Sequence, residues 1–448
     1  MDRRVTKAPR VKTGPTEGAK TTAYRTIVDL PLDLLHMILV QFRDSCRWIL
    51  DTCMKVCRTL RHAALEYFAF KSPRVDDLDH FLAFMRSHRL PPKTVRSLHL
   101  SNVSLDAALV REIAQLFPNL KSLTLVDISC IPSLPGNHHL QSERPETTPP
   151  VPMPLNSLTL SCKRPRRDSG WSLSGMMHIL SLLAPCELTV WLGHGVSFRD
   201  TFDPSCLAAS PATVWDLDVG FTTGTPKKSA IATVLDALSR TLAPGALQSV
   251  AVRYDSKAAL RALGTLLARI GSNVTNLAVH PPAPSEWEER HRTWTDPFDD
   301  WTLLDIRGCE KLERLYLSLN VRLRENERPQ RALCHVAAGL LAYYASPTIR
   351  RVVIDLDDVA DPTTLGNSTV VKLQEFDNVL AEARFPYLRQ VMLHVGTTRE
   401  LREKAEYADD YYDAVLRALP CLHFRGVLNV RVDQRSCCWH RCDYWCTR

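Results

Sequence analysis

Residues 312–320 read LERLYLSLN, and the placing of their leucines decides the architecture. Leu312, Leu315 and Leu317 stand at offsets of zero, three and five. In an extended strand successive side chains alternate between faces, so Leu315 and Leu317 share one face while Arg314, Tyr316 and Ser318 take the other. The same apolar pattern recurs upstream at Val95/Leu98/Leu100, Leu120/Leu123/Leu125, Leu155/Leu158/Leu160, Val214/Leu217/Val219, Leu247/Val250/Val252 and Val274/Leu277/Val279. Downstream it returns at Ile349/Val352/Ile354, Leu388/Val391/Leu393 and Val427/Val430/Val432, and Leu188/Val190 form a weaker copy. From Val95 the first positions are separated by 25, 35, 59, 33, 27, 38, 37, 39 and 39 residues, the 59 dividing in two if the weak copy counts. Sustained spacing of this size indicates a solenoid, in which each unit buries its apolar face against its neighbours.

Helical patterns fill the intervals, over residues 104–117, 174–183, 229–242, 256–270, 331–344 and 370–383, the first stopped by Pro118. Strand then helix, repeated, predicts an α/β fold with parallel strands inside and helices outside. The pattern resembles leucine-rich repeats, whose Leu-x-x-Leu-x-Leu-x-x-Asn positions are matched by Leu312, Leu315, Leu317 and Asn320, although most other copies lack the Asn. That resemblance implies a curved solenoid over residues 69–433. Its units are longer than the ~20–29 residues usual for the class, so an uneven arc with loop insertions is expected. An unrelated α/β domain whose buried strands share a spacing is the alternative. Residues 131–154 and 281–301, rich in Pro and polar groups, read as insertions. The second carries Trp287, Trp294 and Trp301, which either pack it against the arc or form a contact surface.

The chain opens differently. In LPLDLLHMILVQFRDSCRWILDTCMKVCRTL, residues 30–60, Leu30, Leu34, Leu35, Ile38, Leu39 and Phe42 recur at helical spacing after Pro31. A second helical pattern runs through Ile49, Cys53, Val56, Cys57 and Leu60. A unit of roughly 40 residues is at the lower limit of stabilising itself by burial, so this apolar surface calls for a partner or a neighbouring domain. Leu30-Pro31, Leu34-Leu35, Ile38-Leu39, then Leu50, Cys53 and Val56-Cys57-Arg58 resemble an F-box spanning residues 26–68. The resemblance implies a three-helix module that docks on a Skp-type adaptor, which joins a cullin scaffold to make a ubiquitin ligase. It assigns Leu30, Pro31, Leu34, Leu35, Ile38, Leu39, Val56 and Cys57 to adaptor binding and leaves substrate selection to the rest of the chain. Leu60 stands where many members carry Trp. The alternative is a helical hairpin that only caps the solenoid of a scaffold protein with no ubiquitin role.

With 448 residues, 45% hydrophobic and 23% charged, the chain has the composition of a folded soluble protein with a large core. The first 23 residues hold six cations (Arg3, Arg4, Lys7, Arg10, Lys12, Lys20) against Asp2 and Glu17, which accounts for four of the seven net positive charges. Residues 1–25 therefore read as a disordered basic tail, and the near-neutral remainder gives no basis for nucleic-acid binding. No run resembles a secretory signal or approaches the ~18 apolar residues of a membrane span, so an intracellular protein, cytoplasmic or nuclear, is expected. Of the 14 cysteines the scattered ones are then reduced, and the Asn-x-Ser/Thr triplets at Asn102, Asn273 and Asn367 are chance matches.

No catalytic constellation stands out: there is no phosphate-binding Gly-rich loop, no Gly-x-Ser-x-Gly elbow and no paired-His metalloprotease motif. A non-catalytic protein without cofactor or metal is expected. Gly193-His194-Gly195 reads as a turn, and Asp299-Asp300 and Asp357-Asp358 as solvated pairs. Residues 434–448 bring Cys437, Cys438, His440, Cys442 and Cys446 close together, but without the paired Cys-x-x-Cys knuckles of a zinc site; a ragged, reactive tail is the other reading. Lys163-Arg164-Pro165-Arg166-Arg167 is either a nuclear-import patch or a solvated loop.

Alternation sends the residues between the leucines to the concave face. Early strands display Ser97/His99/Ser101, Ser122/Thr124 and Ser157/Thr159/Ser161, whereas later ones display Arg314/Tyr316/Ser318, Arg351/Val353/Asp355, Gln390/Met392/His394 and Asn429/Arg431. Binding hot spots favour Tyr and Arg over Ser and Thr, so Arg314, Tyr316, Arg351, Met392 and His394 are the expected substrate-binding residues. The two Arg favour an acidic or phosphorylated target.

Overall fold

The computed structural model describes residues 31, 33–35, 37–39, 52, 55–56 and 60, then 74–75, 78–87, 95–130, 152–163, 171–193, 195–207, 211–221, 230–280, 303–320, 333–359, 361–366, 371, 373–397 and 408–433. The chain divides into two compact units, Met1–Lys71 and Ser72–Arg448. The tails, residues 131–151 of the first expected insertion, all of the second with its aspartate pair at 299–300, and Leu30 and Cys57 lie outside the described residues, and the first insertion ends earlier than expected because β6 begins at Met153.

Among the described residues the larger unit is built on one twelve-stranded sheet, every pairing in it parallel. Its strands are β1 (Arg74–Val75), β2 (Ser97–Ser101), β4 (Ser122–Val126), β6 (Met153–Cys162), β7 (Leu183–Leu192), β8 (Asp216–Phe221), β9 (Ser249–Arg253), β10 (Asn276–His280), β11 (Arg314–Asn320), β12 (Arg351–Val359), β13 (Gln390–Thr397) and β14 (Leu428–Asp433). Two short strands, β3 (Ser104–Leu105) and β5 (Ser129–Cys130), pair separately. Order along the sheet is chain order. When parallel strands are added always on the same side, right-handed crossovers carry every connecting helix to one face. The expected α/β class stands, and the arrangement is compatible with a curved solenoid.

The strand pattern read in the sequence is the pattern of the core. Leu98, Leu123, Leu158, Leu188, Leu217, Val250, Leu277, Leu315, Val352 and Val391 lie side by side in register, and none is more than 2% exposed. Burying each such side chain contributes about 1.5–3 kcal/mol. The weak copy Leu188/Val190 is a full strand, β7, so the long interval does divide in two. The last copy needs correction: Val391 pairs with Leu428 and Leu393 with Val430, which displaces the expected Val427/Val430/Val432 triple by two residues without changing its face. Just before the strands, single carbonyls bind two amides of the next unit. Arg350 O, for example, accepts from Arg389 N at 2.8 Å and Gln390 N at 3.2 Å.

All six expected helices form, as Ala107–Leu116, Leu173–Leu182, Ala230–Thr241, Lys257–Ile270, Leu333–Tyr343 and Leu373–Ala381. Side-chain caps set three of the starts: Asp106 Oδ1 accepts from Leu109 N at 2.8 Å, Ser172 Oγ from Gly175 N at 3.0 Å and Ser256 Oγ from Ala259 N at 3.2 Å. The first helix therefore begins at Ala107 rather than 104, and residues 104–105 are released to β3. Helices Leu78–Ser87, Pro362–Gly366, Ala408–Ala418 and Pro420–Phe424 are additional to those expected. No helix among the described residues is long and apolar enough to cross a membrane.

In the smaller unit the described residues 33–35, 37–39, 52, 55–56 and 60 are helical. Pro31 sits at the start, its carbonyl accepting from Leu34 N at 3.0 Å and Leu35 N at 3.1 Å. Leu35, Leu39 and Leu60 are buried, whereas Leu34, Met37 and Val56 are 43%, 63% and 64% exposed.

Candidate functional site

Polar rows cross the face of the sheet turned away from the helices. The first runs from Ser97 through Ser122, Ser157, Glu187, Asp216, Ser249, Asn276 and Arg314 to Arg351 and Gln390. Two residues further along each strand, Thr159, Thr189, Asp218, Ala251, Ala278, Tyr316, Val353 and Met392 form the second. In the third, Trp191 lies beside Gly220, Arg253 beside His280, and Asp355 between Ser318 and His394.

A connected set of side chains occupies the middle of this face. The Arg253 guanidinium lies 4.8 Å from the Trp191 ring centre, a cation–π contact. The rings of His280 and Tyr316 are 4.8 Å apart, tilted by 45°, and the Tyr316 hydroxyl donates to Asp355 Oδ2 at 2.5 Å. Burial lowers the pKa of Arg253, and the nearby Asp218 and Tyr316 oppose that shift. The same burial, aided by the charge of Arg253, pulls His280 down to about 3, so its imidazole is neutral at physiological pH.

The five expected substrate-binding residues do come together, on the three adjacent strands β11, β12 and β13. Arg314 stands directly beside Arg351, Tyr316 and Met392 flank Val353, and His394 pairs with Asp355. Their accessibility differs from expectation. Arg314 is exposed, Arg351 is half-buried with its Nη2 3.8 Å from Met392 Sδ, and Tyr316 is committed to Asp355 and His280. Met392 and His394 are only 3% and 5% exposed. The physical reason is strand spacing: at ~4.8 Å, large side chains on three neighbouring strands shield one another. Met392 and His394 therefore pack this face rather than display themselves.

The middle strands carry functional groups that the reading of early and late strands passed over: Glu187, Trp191, Asp216, Asp218, Arg253 and His280. The signal was present, since all six flank apolar positions of the repeated pattern: Leu188, Val190, Leu217, Val252 and Val279. Among the residues expected to bind an adaptor, Leu35 and Leu39 are an i, i+4 pair turned inward, which leaves Pro31, Leu34 and Val56 exposed and Ile38 half-buried. Gly193 has a structural role: an added Cβ would lie 2.2 Å from the Lys163 carbonyl oxygen. No group of His, Cys, Asp or Glu among the described residues is arranged to hold a metal ion. What the face offers a ligand is charge and aromatic surface.

No family model matches the chain, and no curated protein matches it.

Proposed function

We propose that the chain is the substrate-recognition subunit of an SCF-type ubiquitin ligase, binding a Skp-type adaptor through residues 26–68 and a target protein through the leucine-rich-repeat unit. The observation that carries this reading is the unspent apolar surface of the smaller unit: Leu34, Met37 and Val56 are exposed although Leu35, Leu39 and Leu60 already supply a buried side. Leu34 and Met37 stand three apart on one helix and so lie next to each other on its surface, and contiguous apolar surface of this kind marks partner sites. The order of residues resembling an F-box supports an adaptor as that partner. Co-expression with a Skp-type adaptor should yield a stoichiometric complex that survives size exclusion. Its absence would sink the ligase reading.

The burial of Leu35, Leu39 and Leu60 favours a second reading, in which these helices only cap a leucine-rich scaffold. Under that reading deletion of residues 1–68 destabilises the remainder and no adaptor binds.

A further inference from the structure

β14 ends the sheet, with β13 as its strand neighbour. Within a strand the N–H and C=O of one residue point to the same side, and that side alternates along the chain. Val427 directs its carbonyl to β13, where it accepts from Val391 N at 2.8 Å. Asn429 and Arg431 share its parity. The backbone groups of Leu428, Val430 and Val432 therefore point away from the sheet, where no strand meets them among the described residues. Their side chains also depart from the pattern: Val391 and Leu393 on β13 are fully buried, whereas Leu428, Val430 and Val432 are half-exposed. Phe424, just before this strand, is 94% exposed, and Tyr387, at the equivalent place before β13, is 60% exposed. Arg425 and Arg431 are both exposed beside them.

We propose that β14 is a strand-addition site for an extended protein segment in which apolar and acidic residues alternate. An added strand takes up the outward N–H and C=O groups, as in other edge-strand complexes. Its residues on the helix side continue the apolar row of Leu428, Val430 and Val432 and reach Phe424. Those on the other side lie next to Arg431, where a carboxylate is the favoured cross-strand neighbour. A second copy of the chain is the competing occupant, because antiparallel self-pairing about Val432 would set Arg431 of each copy beside Asp433 of the other, and the test below separates the two. The proposal stands on the sheet edge alone and not on the ubiquitin-ligase reading.

The test is a fluorescence-anisotropy titration of labelled (Glu-Val)4 peptide with the full chain, using (Lys-Val)4 as the charge control. Saturable binding of the first, with the second weaker by about tenfold or more, is expected, together with slowed hydrogen exchange at the Leu428, Val430 and Val432 amides. Val430→Pro removes a donor that the sheet does not use, so it should keep the wild-type circular dichroism and lose the peptide by about tenfold or more. Phe424→Ser, at a side chain already in solvent, should fold normally and weaken binding severalfold. No binding by the full chain, equal affinity for the two peptides, or undiminished binding by Phe424→Ser and by folded Val430→Pro overturns the proposal. So does binding that appears only after residues 434–448 are removed, which would make the chain's own tail the occupant. A concentration-dependent dimer abolished by Val430→Pro would assign the edge to a second copy instead.

Discussion

Arg253 reaches across an entire strand to lie 4.8 Å from the ring centre of Trp191. The strand it crosses, β8, offers Gly220 at that point. A Cβ there would sit 3.1 Å from Trp191 Cζ3 and 3.3 Å from Arg253 Cδ. The contact thus depends on one absent side chain. Gly220→Val should push the two apart and cost ~1–3 kcal/mol by overpacking, read as a lowered urea midpoint. An unchanged midpoint would mean that the contact yields freely and contributes little.

Asp355 is 2% exposed and receives the Tyr316 hydroxyl. Tyr316→Phe keeps the ring against His280 but withdraws that donor, and a buried acceptor left short of a partner costs about 1–3 kcal/mol. Tyr316→Phe should therefore be less stable than the wild type, whereas Arg314→Ala, at an exposed position on the same strand, should change stability by about 0.5 kcal/mol or less. Equal denaturation midpoints for Tyr316→Phe and the wild type would show that the hydroxyl is readily replaced by water.

His280 makes stability depend on pH in a defined direction. Its folded pKa, about 3, lies below its ordinary value of 6.5, so between those values the unfolded chain takes up a proton that the folded chain refuses. Stability from this residue is full above pH 6.5 and is lost as the pH falls toward 3, by up to ~2 kcal/mol at pH 5. Urea denaturation at pH 7.5 and pH 5 should show a larger loss for the wild type than for His280→Gln. Parallel losses would mean that the imidazole protonates in place.

The smaller unit separates stability from binding within one helix. Leu34→Ala with Ile38→Ala should weaken adaptor binding by ~2 kcal/mol or more per residue, while costing the chain less stability than Leu35→Ala. Leu35→Ala removes a buried side chain and should destabilise by ~2–5 kcal/mol. If the Leu34/Ile38 variant binds adaptor undiminished in a pull-down, exposed Leu34 and half-buried Ile38 are not its anchor.

The sheet was legible because one spacing, leucine, valine or isoleucine at offsets three and five, places the same row on the strands from β2 to β13. Some helix starts were legible to within a residue: the patterns expected from 174 and 256 begin at Leu173 and Lys257. β7 nearly escaped because Pro185, paired with Leu155, takes the leading apolar position. The register of β14 was misplaced because Val427 imitates that leading residue while Arg425 stands where it belongs. The burial of Met392 and His394 could not be read from their own strand, since what decides it is the size of the side chains on the strands to either side. The cluster from Trp191 to Asp355 spans strands far apart in the chain, and no local motif announces it.

Because strand order is chain order, each strand of the large sheet needs only its immediate predecessor in order to dock. A ribosome making this chain from its N-terminus supplies the strands in the sequence in which the sheet accepts them, and no nascent strand has to wait for a distant partner. Assembly of this kind is a one-dimensional zipper whose growing end moves with synthesis. Among the described strands that end is β14, the last of them to be made and the first that force applied beyond it would strip away.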